Sequence, residues 1–192
     1  MERIRVVDFL KFKKCDLKGK VICFPTDTVY GFGAMIDDSF GIDKIFQIKG
    51  RDFVKPLANL IGNIQDVYKY VSDIPDYVID IIEKYWPGAL TIIFNKRKEV
   101  NIKNNIDTIS FRMPDSLVCL SILKKFGPFA TTSVNKSGEK ELSNLKDIEN
   151  EFSNVIDFLI IDEVNLSNVP STVIDVTKDK MVVIRKGGVL FE

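Results

Sequence analysis

Short apolar runs, typical of strands, alternate along this sequence with segments whose apolar residues recur at helical spacing. This alternation is the feature that most limits the folds the chain can adopt. Extended runs are predicted at residues 21–24, 57–61, 89–94, 108–113, 129–132, 158–161, 172–176 and 181–184. Helices are predicted at residues 6–14, from 38 or 39 to 49, at 75–85, 115–126 and 145–152. Because several of the later runs are joined by short turns, the pattern predicts an α/β fold with a mixed, twisted sheet flanked by helices.

Composition limits the size and the partners of the protein. The 192 residues, 45% of them hydrophobic, suffice for one substantial core, so we expect a single domain over residues 1–192. The 27 basic and 27 acidic residues cancel, so nucleic acid could be attracted only by a local patch. No apolar run approaches the roughly 20 residues of a membrane span, and we expect a cytoplasmic protein with no membrane partner.

The chemistry of the side chains excludes several classes of site. The chain has no histidine, which removes the commonest general base and the usual zinc ligand. Three widely spaced cysteines, Cys15, Cys23 and Cys119, argue against a disulfide framework, and we expect Cys23 and Cys119 in the core. The remaining groups suit positioning and charge stabilisation, which dominate phosphoryl-type reactions.

The apolar run 21–24 ends at Pro25 and is expected to open into a polar loop through Gly33. Gly31 and Gly33 would let the backbone approach a ligand closely. Lys49 and Arg51 are expected as exposed cations at the end of a helix, suited to phosphate or carboxylate. Each feature alone is also typical of ordinary turns and helix ends.

The same pattern recurs later in the chain. The run 129–132 leads into a hydroxyl-rich, glycine-containing loop at 133–138, the kind of position where ligands bind in α/β sheets. Arg112 follows another apolar run, and a cation there needs a partner or a wet cleft. These segments together predict an anion-binding cleft.

The order of these motifs carries a family resemblance. Segments that match the motifs of one protein family, in the order in which that family has them, lie at residues 25–33, 49–57, 86–91, 111–114, 132–138, 171–175 and 184–187. Over essentially its whole length the sequence resembles the YrdC-like threonylcarbamoyl-AMP synthases of the short, single-domain type, which implies a YrdC-like (RibB-like) fold. The loop 139–143 departs from the family, since it has Glu-Lys-Glu-Leu-Ser where Ser-Pro-Thr is usual.

The resemblance implies an L-threonylcarbamoyladenylate synthase, a nucleotidyltransferase. L-threonine, bicarbonate or CO2, and ATP would give threonylcarbamoyl-AMP and pyrophosphate, with Mg2+ on the nucleotide but no carboxylate cluster for a protein-built metal site. The product would supply the threonylcarbamoyladenosine of tRNA through partner proteins that perform the transfer. Weak tRNA binding through a local basic patch is also expected.

The resemblance further implies roles for individual residues. The catalytic pair would be Lys49 and Arg51. The ATP-binding residues would be Lys49, Arg51, Lys55, Ser133, Asn135 and Arg185. The threonine-binding residues would be Thr28, Arg112, Thr131 and Ser171, with the Arg112 fork on the carboxylate.

Two other functions stay open at this point. A non-catalytic RNA-binding paralogue could use the same basic surface, although the neutral net charge weakens that interpretation. A carbamoyl-adenylate-handling domain like that of hydrogenase-maturation carbamoyltransferases normally belongs to a much longer chain with zinc-binding cysteines. Threonine-dependent pyrophosphate release separates the synthase from the RNA binder, and replacing threonine with carbamoyl phosphate separates the two enzymes.

Overall fold

The structure, a computed structural model, describes residues 1–50, 56–103 and 107–191. Within them, ten strands form one sheet. The strands are β1 (Glu2–Ile4), β2 (Ile22–Pro25), β3 (Tyr30–Met35), β4 (Ala58–Leu60), β5 (Leu90–Asn95), β6 (Thr108–Arg112), β7 (Phe129–Ser133), β8 (Phe158–Ile160), β9 (Thr172–Asp175) and β10 (Val182–Arg185). The helices are α1 (Val6–Phe9), α2 (Ser39–Lys49), α3 (Asp76–Tyr85), α4 (Leu117–Phe126) and α5 (Leu145–Phe152), with 3₁₀ helices at Lys14–Leu17 and Ile64–Lys69.

The strand order is β1-β8-β2-β3-β7-β4-β6-β5-β9-β10. Strand β8 pairs parallel with β1 and β2, β4 with β6, and β5 with β9. The remaining neighbours pair antiparallel. The predicted mixed sheet is therefore confirmed, and it brings β7 between two strands that lie far away in sequence.

Helices cover the sheet through apolar faces. Phe152 of α5 packs edge-on against Phe32 of β3, with ring centroids 4.9 Å apart. Most of the buried residues of α4 join a cluster with Phe24 and Phe129, and those of α3 join a cluster with Phe111. Each fully buried phenylalanine contributes about 1.5–3 kcal/mol relative to an exposed one. Cys23 and Cys119 are buried in this core, as predicted.

Helix α2 forms where the sequence predicts it and positions Lys49. Its buried residues Ile42, Ile45 and Phe46 recur at helical spacing. The helix ends at Gly50, whose left-handed φ of 56° favours glycine. Asp38 occupies the N-cap position, but its carboxylate accepts a hydrogen bond from the Gly19 N–H instead of capping the helix.

The polar loop predicted through Gly33 is wrong beyond its first residues. Tyr30–Met35 is a strand buried at every position, because it pairs with both β2 and β7. A Cβ on Gly33 would lie 2.6 Å from Phe24 Cε1, so this glycine makes room for a core ring rather than for a ligand.

Two further differences concern the N-terminus. The sequence analysis did not predict β1, which pairs with β8. The helix predicted over 6–14 extends only over Val6–Phe9, since lysines soon replace its apolar residues.

In the described part of the chain, no helix has the length and apolar character needed to cross a membrane.

Candidate active site

A cavity of about 290 Å³ lies where the β2–β3 turn meets the ends of β6, β7 and β10. The segment before β9 completes its wall. Its lining combines hydroxyls, two arginines and one carboxylate with a few apolar groups. The lining residues are Thr26, Thr28, Val29, Tyr30, Gly31, Pro56, Ala58, Leu60, Thr91, Arg112, Thr131, Thr132, Ser133, Glu141, Pro170, Ser171 and Arg185.

The turn between β2 and β3 is built around Thr26. Its hydroxyl accepts hydrogen bonds from the backbone N–H of Thr28 at 3.1 Å and of Val29 at 3.2 Å, and donates to the Val29 carbonyl at 2.7 Å. A later segment braces the turn, because the N–H of Ser167 donates to the carbonyl of Asp27 at 3.0 Å. The turn therefore fixes Thr28, which lines the cavity, and its neighbour Asp27.

Arg112 ends β6 and is held by three groups. Its Nε donates to the Gly88 carbonyl at 3.0 Å, its Nη1 to the Thr28 hydroxyl at 2.8 Å, and its Nη2 to Asp27 Oδ1 at 2.5 Å. Arg112 is only 6% exposed. Burial lowers the pKa of the guanidinium and the Asp27 carboxylate opposes that shift. The partner expected for a cation after an apolar run is thus Asp27, from the turn between β2 and β3.

Arg185 ends β10 and lines the cavity together with Ser171. Its Nη2 donates to the Ser171 carbonyl at 2.8 Å and to the Ser171 hydroxyl at 3.1 Å. That hydroxyl also lies 2.8 Å from Thr91 Oγ1, a contact the sequence analysis missed. The chain passes so close that a Cβ on Gly187 would lie 2.2 Å from the Pro170 carbonyl oxygen.

Lys49 does not line the cavity among the described residues, but it bonds to Ser133, which does. Its Nζ donates to the Ser133 carbonyl at 2.8 Å and to Asn135 Oδ1 at 2.5 Å. The Ser133 hydroxyl donates to the same Asn135 oxygen at 2.8 Å. Lys49 is only 4% exposed, so the expectation of an exposed ligand cation is wrong in this respect: its Nζ bonds the last residue of β7 and the loop that follows it.

The predicted site residues therefore fall into three groups. Six line the one cavity: Thr28, Arg112, Thr131, Ser133, Ser171 and Arg185. Lys49 and Asn135 are buried and bond to Ser133 or to each other. Arg51 and Lys55 lie outside the described residues, and their roles stay predictions.

Glu141 is the one carboxylate among the described residues that line the cavity, and the sequence analysis assigned it no role. The part of the chain that the structure describes contains no group of three or more Asp, Glu or Cys side chains that could hold a metal ion by itself.

Comparison with known proteins shows which family the chain belongs to. A family model described as "Telomere recombination", for the Sua5, YciO and YrdC proteins, matches residues 17–187. The chain belongs to the Sua5/YciO/YrdC family. The family predicted from the sequence motifs and the predicted YrdC-like fold are both confirmed.

Relatives within the family carry a consistent name. The putative threonylcarbamoyl-AMP synthase of Methanocaldococcus jannaschii is 36% identical over 191 residues, 97% of this chain and 87% of that protein. The threonylcarbamoyl-AMP synthase of Pyrococcus abyssi is 32% identical over 178 residues, 91% of this chain and 52% of that protein. These names support the predicted function and indicate an enzyme.

A solved structure of the family agrees in fold. That of P. abyssi Sua5 complexed with L-threonine matches with a TM-score of 0.86 and 30% identity, over 97% of this chain and 56% of that chain. The chain thus spans about half the length of the Pyrococcus proteins but most of the Methanocaldococcus protein.

Proposed function

We propose that this protein is an L-threonylcarbamoyladenylate synthase, a nucleotidyltransferase that makes threonylcarbamoyl-AMP and pyrophosphate from L-threonine, bicarbonate or CO2, and ATP. The observation that carries the proposal is the convergence of Arg112, Arg185 and the hydroxyls of Thr28, Ser133 and Ser171 on one cavity in a member of this family. We further propose that residues 1–192 form one domain, since the described strands share one sheet.

Threonine would bind at the Arg112 side of the cavity. The Arg112 fork suits a carboxylate, and the hydroxyls of Thr28, Thr131 and Ser171 offer partners to the amine and hydroxyl of threonine. Since Arg112 already donates to Asp27, the incoming carboxylate shares the guanidinium with Asp27 or displaces it. A substrate that lacks the hydroxyl, such as valine, leaves a polar group unpaired at a cost of about 1–3 kcal/mol.

ATP would bind toward Ser133, Asn135 and Arg185, with Lys49 holding the Ser133–Asn135 segment and Arg51 and Lys55 as further cations. We expect Mg2+ on the nucleotide phosphates, where it neutralises part of their charge. The hydroxyl and carboxylate oxygens that line the cavity are the donors that this hard cation prefers.

The reaction has two bond-forming steps. The threonine amine adds to the carbon of CO2 and loses a proton, which gives a carbamate. A carbamate oxygen then attacks the α-phosphorus of ATP, and the α–β phosphoanhydride bond breaks to release pyrophosphate. Both partners are anions, so the main barriers are charge repulsion and orientation, which fixed cations and hydroxyls lower.

The product would serve tRNA modification in the cytoplasm, with partner proteins transferring the threonylcarbamoyl group to tRNA. Weak direct tRNA binding would use a surface groove of about 1050 Å³ whose charged lining residues are Lys14, Lys69, Lys124 and Lys125 together with Asp66 and Glu83. Lys14 pairs with Asp37, and Lys69 with an aspartate in its own helix. We therefore expect low affinity.

The test of the proposed function is pyrophosphate release by the purified protein with ATP, bicarbonate and each amino acid in turn. We expect release with threonine, much less with valine or serine, and none without bicarbonate. Release that needs carbamoyl phosphate instead of threonine supports the carbamoyltransferase-like activity. No release with any amino acid contradicts the proposal.

A further inference from the structure

Glu141 is an unexplained charge in a cavity proposed for a polyanion. The described residues give its side chain no hydrogen bond and no ion pair, in contrast to Asp27, which bonds to Arg112. The two arginines of the lining are matched in charge by Asp27 and Glu141, so these four side chains together do not favour bare ATP.

The backbone fixes where Glu141 lies. On one side, the Asn135 side chain donates to the Glu139 carbonyl at 2.6 Å. On the other side, the Leu142 N–H donates to the Val134 carbonyl at 2.8 Å. Glu141 is therefore held against the Ser133–Asn135 segment, the side of the cavity proposed for the nucleotide.

A single carboxylate in this position suits one ligand class. Mg2+ in nucleotide sites is usually bound by one or two carboxylates together with substrate phosphates, and it keeps several waters. Such a site needs no cluster of acidic residues in the protein. A divalent cation would turn the repulsion between Glu141 and the phosphates into attraction.

We infer that Glu141 is the protein's carboxylate ligand for the divalent cation of the metal–nucleotide complex. The inference rests on the proposed function, because it requires ATP in this cavity. It assigns a metal-binding role to the loop 139–143, one of the segments where this sequence departs from the family pattern.

A metal-ligand role of Glu141 predicts that its substitution weakens binding of ATP with Mg2+ but does not weaken binding of metal-free ATP. E141Q removes a metal ligand, so it should weaken binding of ATP in excess Mg2+ about tenfold, which is ~1.4 kcal/mol. The same change removes a negative charge, so metal-free ATP in EDTA should bind as well as in the wild type or more tightly. A purely structural defect would weaken both.

The experiment is calorimetric titration of the wild type, E141Q and E139Q with ATP, in Mg2+ and in EDTA, without threonine so that no turnover occurs. Glu139 is an exposed residue of the same loop and provides the matched control, with no change expected. A parallel titration with Mn2+ and ATP follows the free ion by electron paramagnetic resonance, and E141Q should leave more Mn2+ free.

The metal-ligand role is overturned if E141Q changes the affinities for ATP in Mg2+ and in EDTA equally or in the same direction. It is also overturned if E139Q weakens binding of ATP in Mg2+ as much as E141Q does. Either result leaves the proposed function intact. A wild type that binds ATP in neither condition overturns both.

Discussion

At the scale of single residues, the polar side chains of the site are fixed by partners from distant parts of the chain. Arg112 bonds to Asp27, 85 positions away, and Lys49 bonds to Asn135, 86 positions away. The sequence indicates that Arg112 needs a partner, because a cation follows an apolar run. It does not indicate which carboxylate, nor that Lys49 is buried, because both depend on how the sheet is ordered.

The two arginines of the cavity should affect different substrates. Arg112→Lys keeps the charge but loses the planar fork, so we expect the KM for threonine to rise about tenfold or more, with little change in the KM for ATP. Arg185→Lys should do the reverse. Steady-state pyrophosphate kinetics with each substrate varied in turn check this pair. Equal effects of both variants on both substrates would show that the cavity is not divided as proposed.

Lys49 should matter for stability as well as for activity. Lys49→Ala leaves the Ser133 carbonyl and the Asn135 side chain without this donor, at an expected cost of about 1–3 kcal/mol. The exposed Lys140 in the following loop provides the control, and Lys140→Ala should change the free energy of unfolding by less than about 0.5 kcal/mol. Urea unfolding measures both. An unchanged midpoint for Lys49→Ala would contradict a contribution of these two hydrogen bonds to stability.

At the scale of elements, apolar periodicity predicts most strands and helices, and it fails where glycines interrupt the apolar residues of a strand. Helix α5 is found at the predicted residues 145–152, because its apolar residues recur at helical spacing. Strand β3 was missed because glycines at positions 31 and 33 resemble a loop. Both glycines lie in a central strand, and at Gly33 the rings of Phe24 and Phe129 fill the space that a side chain would take.

The two glycines of β3 should respond differently to the same change. Gly33→Ala places a methyl 2.6 Å from Phe24 and 3.2 Å from Phe129, so we expect a loss of about 1–3 kcal/mol in the free energy of unfolding. A Cβ on Gly31 would lie 3.5 Å from the Thr132 carbonyl oxygen, an ordinary contact, but Gly31 lines the cavity. Gly31→Ala should therefore leave thermal stability nearly unchanged and weaken ligand binding. Equal thermal shifts in the two variants would contradict this assignment.

Asp157, just before β8, links three elements. It accepts hydrogen bonds from Lys44 Nζ at 2.5 Å, the Val21 N–H at 2.9 Å and Lys20 Nζ at 3.3 Å. Burial raises the pKa of this carboxyl, but the bonds from Lys44, Val21 and Lys20 outweigh burial and hold it below its ordinary value of 3.8.

The lowered pKa of Asp157 predicts a pH-dependent contribution to stability. The stabilisation is fully present well above the unfolded pKa and is lost as the pH falls through the folded value. Asp157→Asn should cost about 1 kcal/mol at pH 7, and the difference from the wild type should shrink below about pH 4. Urea unfolding at pH 7, 5 and 3.5 measures it, with Asp80→Asn on the exposed face of α3 as control. A difference that stays constant over this range would show that charge is not involved.

At the scale of the whole molecule, the order of the strands explains why separated motifs form one site. Strand β7 pairs with β3 and β4, and β5 pairs with β6 and β9, so the ends of early, middle and late strands meet around one cavity. The mixed sheet could be predicted from the apolar runs and the short turns that join them. The anion-binding cleft could be predicted from the ordered motifs. The sequence alone does not fix the strand order, because the partners of such short strands are chosen by packing across the sheet.

The measurement that tests the central claim most directly is a crystal structure of the protein with L-threonine and a non-hydrolysable ATP analogue. We predict threonine against Arg112 and Thr28, and nucleotide phosphates between Ser133 and Arg185, in the same cavity. Nucleotide bound elsewhere, for example in the lysine-lined groove, or threonine with no contact to Arg112, would contradict the account.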